Sequence, residues 1–368
     1  MKTILRLLFI MTLTLAGCAP KVEHNRKFIA HMGYSNSGKI AGRNSLEAIH
    51  YAARAGFQTI EVDVQLSKDS VLMAIHGPDL RQWVYDKDGN KVDRSWRVKD
   101  FTFEEIRNYF VHRTDNLQAR TQIPTLEEYL KVCKEVGVFP FIEPKVNDVT
   151  GRHYLDIMAC ADSIIGRGNY IITSNNFANG LIRDSLKVDD VKLMGILYQT
   201  TWEQIAGKPD IVMAISAQRF DNEDYAAKVV KAKAEGLETE SHADSFQHFD
   251  KINNADIDYV STDRIAPDWY GQGRTVKLIK GRGSKGLEKA ISKCEEMPVC
   301  EFGAIYLEME FKGSAKVALS DMEFEIASEQ MRPMQYQLIL PLQLPVFNVS
   351  ECSEDFKVGR ISVRIVEF

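Results

Sequence analysis

Glu61-Val62-Asp63 sets two carboxylates two residues apart, so both leave one face of any strand that carries them. Phe141-Ile142-Glu143-Pro144-Lys145 adds a third carboxylate, with an amine on the same face. Acidic side chains are disfavoured in buried strands unless paired or bound to a metal. Three that converge repel one another unless a cation lies between them. All-oxygen ligation selects a hard ion, Ca2+ or Mg2+. Each acid taken singly also fits a solvated strand end, with Lys145 as a structural ion-pair partner. Their joint placement favours one divalent cation held by Glu61, Asp63 and Glu143. His31 ends the run Phe28-Ile29-Ala30-His31, and His76 ends Val71-Leu72-Met73-Ala74-Ile75-His76. Imidazole titrates near neutrality, so a histidine pair beside such a site can divide acid and base roles. His50, His112, His153, His242 and His248 fall in expected helices or loops and take no role.

These residues need a scaffold that brings distant strand ends together. Short apolar, β-branched runs recur at Phe28–His31, Thr59–Val64, Phe139–Glu143, Tyr170–Thr173, Lys192–Leu197, Ile211–Ile215, Leu237–Glu240 and Tyr259–Ser261. Helical patterns lie between them, at Ser45–Ala55, Leu126–Val136, Phe177–Leu186 and Asn222–Glu235. The alternation predicts an α/β fold, a (β/α)8 TIM barrel, with its site at the C-terminal strand ends. Val71–Ile75 follows the second strand too closely for a parallel crossover and predicts a hairpin turning at Ser67-Lys68-Asp69-Ser70. That pairing sets Glu61 opposite His76 and Asp63 opposite Ala74. The Gly, Lys and Arg composition of Gly271–Gly286 reads as a linker. Beyond it, alternating stretches such as Ala304–Phe311, Gln335–Leu340 and Arg360–Glu367 predict a small all-β domain, a β-sandwich.

Composition bounds the rest. The chain has 368 residues and a formal charge of -5, which argues against a nucleic-acid partner needing a basic face. Lys2 and Arg6, the apolar run Leu7–Leu15 and the ending Leu15-Ala16-Gly17-Cys18 form a signal segment that resembles a bacterial lipobox. The expected organisation is therefore a lipoprotein signal over 1–18, a barrel over 27–268 and a β-rich domain over 275–368. Lipidated Cys18 would tether an exported protein to the bacterial envelope membrane. Five further cysteines cannot all pair within one chain; Cys294 and Cys300 fit either a bridge or two buried thiols.

Six segments in order carry a resemblance. They are Ala30-His31-Met32-Gly33, Asn44-Ser45-Leu46-Glu47-Ala48, Ile60–Asp69 with His76, Ile123–Glu128, Ile142-Glu143-Pro144-Lys145 and Ser261-Thr262-Asp263-Arg264. Together they resemble the glycerophosphodiester phosphodiesterase family across residues 27–268. The resemblance implies a metal on Glu61, Asp63 and Glu143, His31 and His76 as the acid/base pair, and Lys145 near the phosphate. It implies hydrolysis of a glycerophosphodiester to an alcohol and glycerol phosphate. The chain departs from the family pattern at Met32, where an arginine is usual, at Arg43, where a glutamate is usual, and at Gly77, where an aspartate is usual. A late tryptophan-containing motif is replaced by Leu237-Glu238-Thr239-Glu240. Arg43 is expected to substitute for the missing guanidinium, or else to be a solvated residue before an Asn44 helix cap. Two other readings remain: a phospholipase C- or D-like lyase releasing a cyclic phosphate, and a catalytically silent lipoprotein that binds a phosphorylated ligand.

Overall fold

A computed structural model of the chain describes residues 27–145, 151–174, 179–196, 209–216, 223–244, 252, 256–267, 274–296, 302–320, 322–341 and 346–368. The signal segment and Cys18, together with His248 and Cys300, lie outside them. Among the described residues, the strands β1 (Lys27–Ala30), β2 (Thr59–Leu66) and β3 (Leu72–Ala74) open the fold. Two short strands, β4 (Val84–Asp86) and β5 (Phe110–His112), pair antiparallel as a separate ribbon. The series resumes with β6 (Phe139–Pro144), β7 (Ile171–Ser174), β8 (Lys192–Ile196), β9 (Ile211–Ser216), β10 (Glu238–His242) and β11 (Tyr259–Thr262).

Parallel pairing runs in the order β1-β11-β10-β9-β8-β7-β6-β2, and a further β1–β2 ladder closes the ring. This is the expected eight-stranded barrel. Its strands show two faces because successive side chains alternate. Ile29, Phe141, Ile171, Met194, Ile211 and Tyr259 form one apolar cluster in the lumen. Ala30, Ile60, Val62, Ile142, Ile172, Leu193 and Val260 point outward into a larger core shared with the helices.

The helices begin where the sequence supplies caps. In α1 (Leu46–Arg54) the Ser45 hydroxyl accepts the Ala48 amide. The cap is therefore Ser45 and not Asn44, which is occupied elsewhere. In α2 (Phe103–Tyr109) and α3 (Leu126–Val136) the pairs Thr102/Glu105 and Thr125/Glu128 form reciprocal capping boxes. Gly137 ends α3 in the left-handed conformation. The outer layer continues with α4 (Arg152–Ile164) and α5 (Glu223–Ala234). Between β7 and β8 the described part of the expected helix is a π-helical turn at Leu181–Ser185.

The hairpin forms, with a register one residue from the expected one. Val64 faces Ala74, Gln65 faces Met73 and Leu66 faces Leu72. Ser67 donates its amide to Val71, and Ser70 takes a φ of 64°. Three residues, Lys68-Asp69-Ser70, make the turn instead of two. A left-handed residue closing a three-residue loop is a common hairpin solution.

The Gly, Lys and Arg stretch expected to be a linker is instead β12 (Arg274–Arg282) followed by α6 (Gly283–Glu295). The missed signal is the spacing Leu287, Ala290, Ile291, Cys294, an apolar stripe of helical period. β13 (Phe302–Leu319), β14 (Met322–Pro341), β15 (Phe347–Ser350) and β16 (Lys357–Glu367) complete one antiparallel sheet with β12. The β-rich antiparallel character holds, but a helix supplies the layer expected of a second sheet. On β13, Ile305, Leu307 and Met309 share a core with Ala290 and Cys294 of α6. Phe302, Ala304 and Tyr306, alternating with them, join the barrel's core. Cys294 is a buried free thiol whose pKa burial raises to about 11.

Candidate functional site

Side-chain alternation carries Glu61 and Asp63 of β2 into the lumen with Phe141 and Glu143 of β6. Glu61 is level with Phe141, and Asp63 with Glu143. One carboxylate oxygen from each of Glu61, Asp63 and Glu143 lies within 4.8 Å of the others. Glu61 and Asp63 are almost fully buried. Each is held by the loop after β1. The Met32 amide donates to Glu61 Oε2 at 2.7 Å, leaving the buried Oε1 without a hydrogen-bond partner. Asn44 clamps Asp63 twice, donating Nδ2–H to Oδ2 at 2.8 Å and accepting the Asp63 amide at 3.1 Å. Lys145 approaches from one side, pairing with Glu143 and lying 3.2 Å from Asp63 Oδ1.

The electrostatics follow from this crowding. Burial raises the Glu61 carboxyl well above the ordinary range, and the charge of Asp63 adds to it. Glu143 moves the same way for the same two reasons, against the pull of Lys145. Lys145 is held charged above its ordinary range: burial opposes its charge, and Asp63, Glu143 and Glu61 outweigh burial. A dense, buried, all-oxygen cluster with an unpartnered oxygen fits a hard cation.

Both expected histidines reach this mouth. His31 Nδ1 lies 3.0 Å from Asp263 Oδ1. Burial lowers the His31 pKa, but the charge and hydrogen bond of Asp263, with Glu61 and Asp63 behind, carry it up to about 10. His76 follows the end of β3, beyond the ladder, so it is not placed opposite Glu61 by pairing. Its carbonyl accepts Gln65 Nε2 at 2.9 Å, and its ring lies on Trp83 with centroids 4.5 Å apart. Burial lowers its pKa, and Lys145, His31 and Arg43 lower it further against the pull of Asp63.

Arg43 is not a solvated residue before a cap. Its Nη2 donates to Asp263 Oδ2 at 3.2 Å, and its guanidinium lies 5.7 Å from the Trp83 ring centroid. Asp263 thus joins His31 to Arg43, a role unassigned in the sequence even though the residue lies in the last matching segment. His242 was also missed, because β10 runs two residues past its expected end. Its ring meets His31 edge-on at 5.0 Å. Its Nε2 lies 2.8 Å from Asp244 Oδ2 and its Nδ1 3.1 Å from Ser261 Oγ. His31, His242 and Asp263 form a second group of closely spaced ligand atoms. Glu240, two residues before His242, is buried and accepts the Ser261 hydroxyl. The period of the strand, continued from Glu240 to His242, was the available signal.

The family model for the glycerophosphoryl diester phosphodiesterase family matches residues 31–264, spanning every residue of this mouth. The chain belongs to that family. A glycerophosphodiester phosphodiesterase from Bacillus altitudinis is 32% identical over 114 residues, 31% of this chain and 42% of that protein. Mouse glycerophosphodiester phosphodiesterase 1 is 32% identical over 124 residues, 32% of this chain. The chain thus spans about a third of the length of the mouse relative. Among solved structures, a glycerophosphodiester phosphodiesterase from Agrobacterium tumefaciens superposes with a TM-score of 0.51 at 20% identity, covering 65% of this chain and 96% of that one. An Oleispira antarctica phosphodiesterase in complex with its product sn-glycerol-3-phosphate gives 0.53 at 19% identity, covering 64% and 92%. These likenesses show the fold.

Proposed function

We propose that the chain hydrolyses a glycerophosphodiester to an alcohol and glycerol phosphate, using His31 and His76 as acid and base. The observation that carries this reading is the meeting of three carboxylates within 4.8 Å, beside both histidines, in a barrel of this family. Glu61, Asp63 and Glu143 would hold one Ca2+ or Mg2+. When bound, that ion supplies positive charge for the phosphoryl oxygens as negative charge develops on them. Lys145 and Arg43 add cationic groups at the same mouth, and both serve as phosphate contacts.

The two histidines divide the proton work by their surroundings. Asp263 accepts from Nδ1 of His31 and stabilises the imidazolium, leaving Nε2 to donate a proton to the departing alcohol oxygen. Burial, with Lys145, His31 and Arg43 nearby, holds His76 neutral, so it accepts the proton of the attacking water. Product glycerol phosphate is bound by the Oleispira relative, which supports the same product class here. An exported protein tethered through Cys18 would meet diesters at the envelope surface.

The test is a diester-cleavage assay with product identification. Cleavage should stop on chelation and return with Ca2+ or Mg2+. His31→Ala should lower turnover by about 10²–10⁴-fold. Calorimetry should show divalent-ion binding that Glu61→Gln weakens. Activity indifferent to both chelator and His31→Ala would overturn the mechanism, and a stable cyclic phosphate as end product would establish the lyase reading.

A further inference from the structure

Beside the acid/base centre lies a cavity of about 370 Å³, within the size range of small-molecule sites. Its walls include Ser37, Arg43, Gln82, Trp83, Arg113 and Asp115. Two of these belong equally to the centre: Trp83 lies on His76, and Arg43 holds Asp263. The Trp83 wall exists because residue 77 is glycine. A Cβ there would fall 2.1 Å from Trp83 Nε1, a separation no side chain tolerates. Gly77 and Arg43 are two of the departures from the family pattern: Arg43 lines this cavity, and Gly77 seats the tryptophan that walls it.

Across the β4–β5 ribbon, Val84 faces His112, and the Arg113 amide donates to the Trp83 carbonyl at 2.9 Å. Trp83 and Arg113 are therefore opposite one another and share a face. Arg113 is exposed and has no ion-pair partner among the described residues. The Nε of Arg43 is buried without a hydrogen-bond acceptor. The walls carry two guanidiniums and one carboxylate, that of Asp115; Arg43 already shares its charge with Asp263, so Arg113 is the cation left for an anionic group. Guanidinium pairs suit phosphate and carboxylate oxygens, while Gln82 and Ser37 offer amide and hydroxyl groups to a polyol.

We propose that this cavity receives one alcohol substituent of the diester and selects for a second anionic group carried on it. The preferred substrate class is a glycerophosphodiester whose far alcohol is a polyol bearing a phosphate or carboxylate. This rests on the phosphodiesterase reading and deepens it.

The test compares glycerophosphoglycerol with the same diester phosphorylated on the far glycerol. The native protein should favour the phosphorylated diester by about tenfold or more in kcat/KM. Arg113→Ala should bring the two diesters close to parity, and Arg113→Lys should restore part of the preference. Parity in the native protein, or a preference untouched by Arg113→Ala, would overturn the proposal. Calorimetric titration of the phosphorylated diester into His31→Ala protein separates the two readings. Binding that Arg113→Ala weakens upholds the cavity even if neither diester is cleaved; absence of binding overturns it.

Discussion

At His31 one ring nitrogen is committed to Asp263, whose carboxylate also accepts from Arg43 and whose backbone amide donates to Asp244 Oδ1. The arrangement gives the pair opposite titration behaviour. His76 loses its proton below the ordinary histidine value, whereas His31 keeps its proton to about 10. Activity should therefore rise as His76 deprotonates on the acid side and fall as His31 deprotonates on the alkaline side. Asp263→Asn removes the negative charge that holds the His31 proton, so the alkaline limb should move to lower pH. The expected displacement is about one to three units in a pH–rate profile. An alkaline limb that stays in place would show that His31 is not the acid. Asn44, expected as a helix cap, instead takes a φ of 61° and clamps Asp63, and the cap passes to Ser45. Both residue types cap well, so sequence alone does not decide between neighbours.

The elements that bring His76 home are the β2–β3 hairpin and the loop after it. A turn longer by one residue reverses which side chains share a face, and for that reason His76 cannot be placed by the ladder. Its position comes instead from packing on Trp83, at the threshold of the β4–β5 ribbon. That ribbon and α2 have their own small core around Met73, Val84, Ile106 and Phe110. Gly77→Ala should displace the indole, lowering turnover by about tenfold or more, since His76, the proposed proton acceptor, loses its seat. Combining Gly77→Ala with Trp83→Ala should recover stability beyond additivity, with a coupling of about 0.5–3 kcal/mol in a double-mutant cycle. Strictly additive melting data would show that the two residues do not contend for one space.

For the whole molecule, the barrel and the C-terminal sheet share a core. Phe302 at the start of β13 is buried and meets Tyr34, Tyr51 and Phe368 within ring-contact distance. The Arg54 guanidinium lies over the same ring, and its Nη2 donates to the Phe368 carbonyl at 3.3 Å. Tyr34 also reaches the end of the neighbouring strand β11, donating to the Arg264 carbonyl at 2.7 Å. The sheet thus buttresses the β1–α1 region whose loop holds Glu61 and Asp63. Phe302→Ala should cost about 3–5 kcal/mol in urea denaturation. It should destabilise the barrel transition as well as that of the sheet. A barrel transition unchanged by this substitution would mean that the two regions fold independently.

The strand count, the barrel and the lumen carboxylates were legible in the sequence, because period-two alternation and strand-to-helix spacing are local and strongly patterned. The sequence also marked His31 and His76. Tertiary structure alone decided the partners. Asp263 finds His31 because β1 and β11 are neighbours across barrel closure, 232 positions apart in the chain. Trp83 finds His76 because an irregular loop folds over a glycine, and His242 finds His31 through lumen packing. Such contacts depend on closure, register and close approach, which composition and periodicity do not encode.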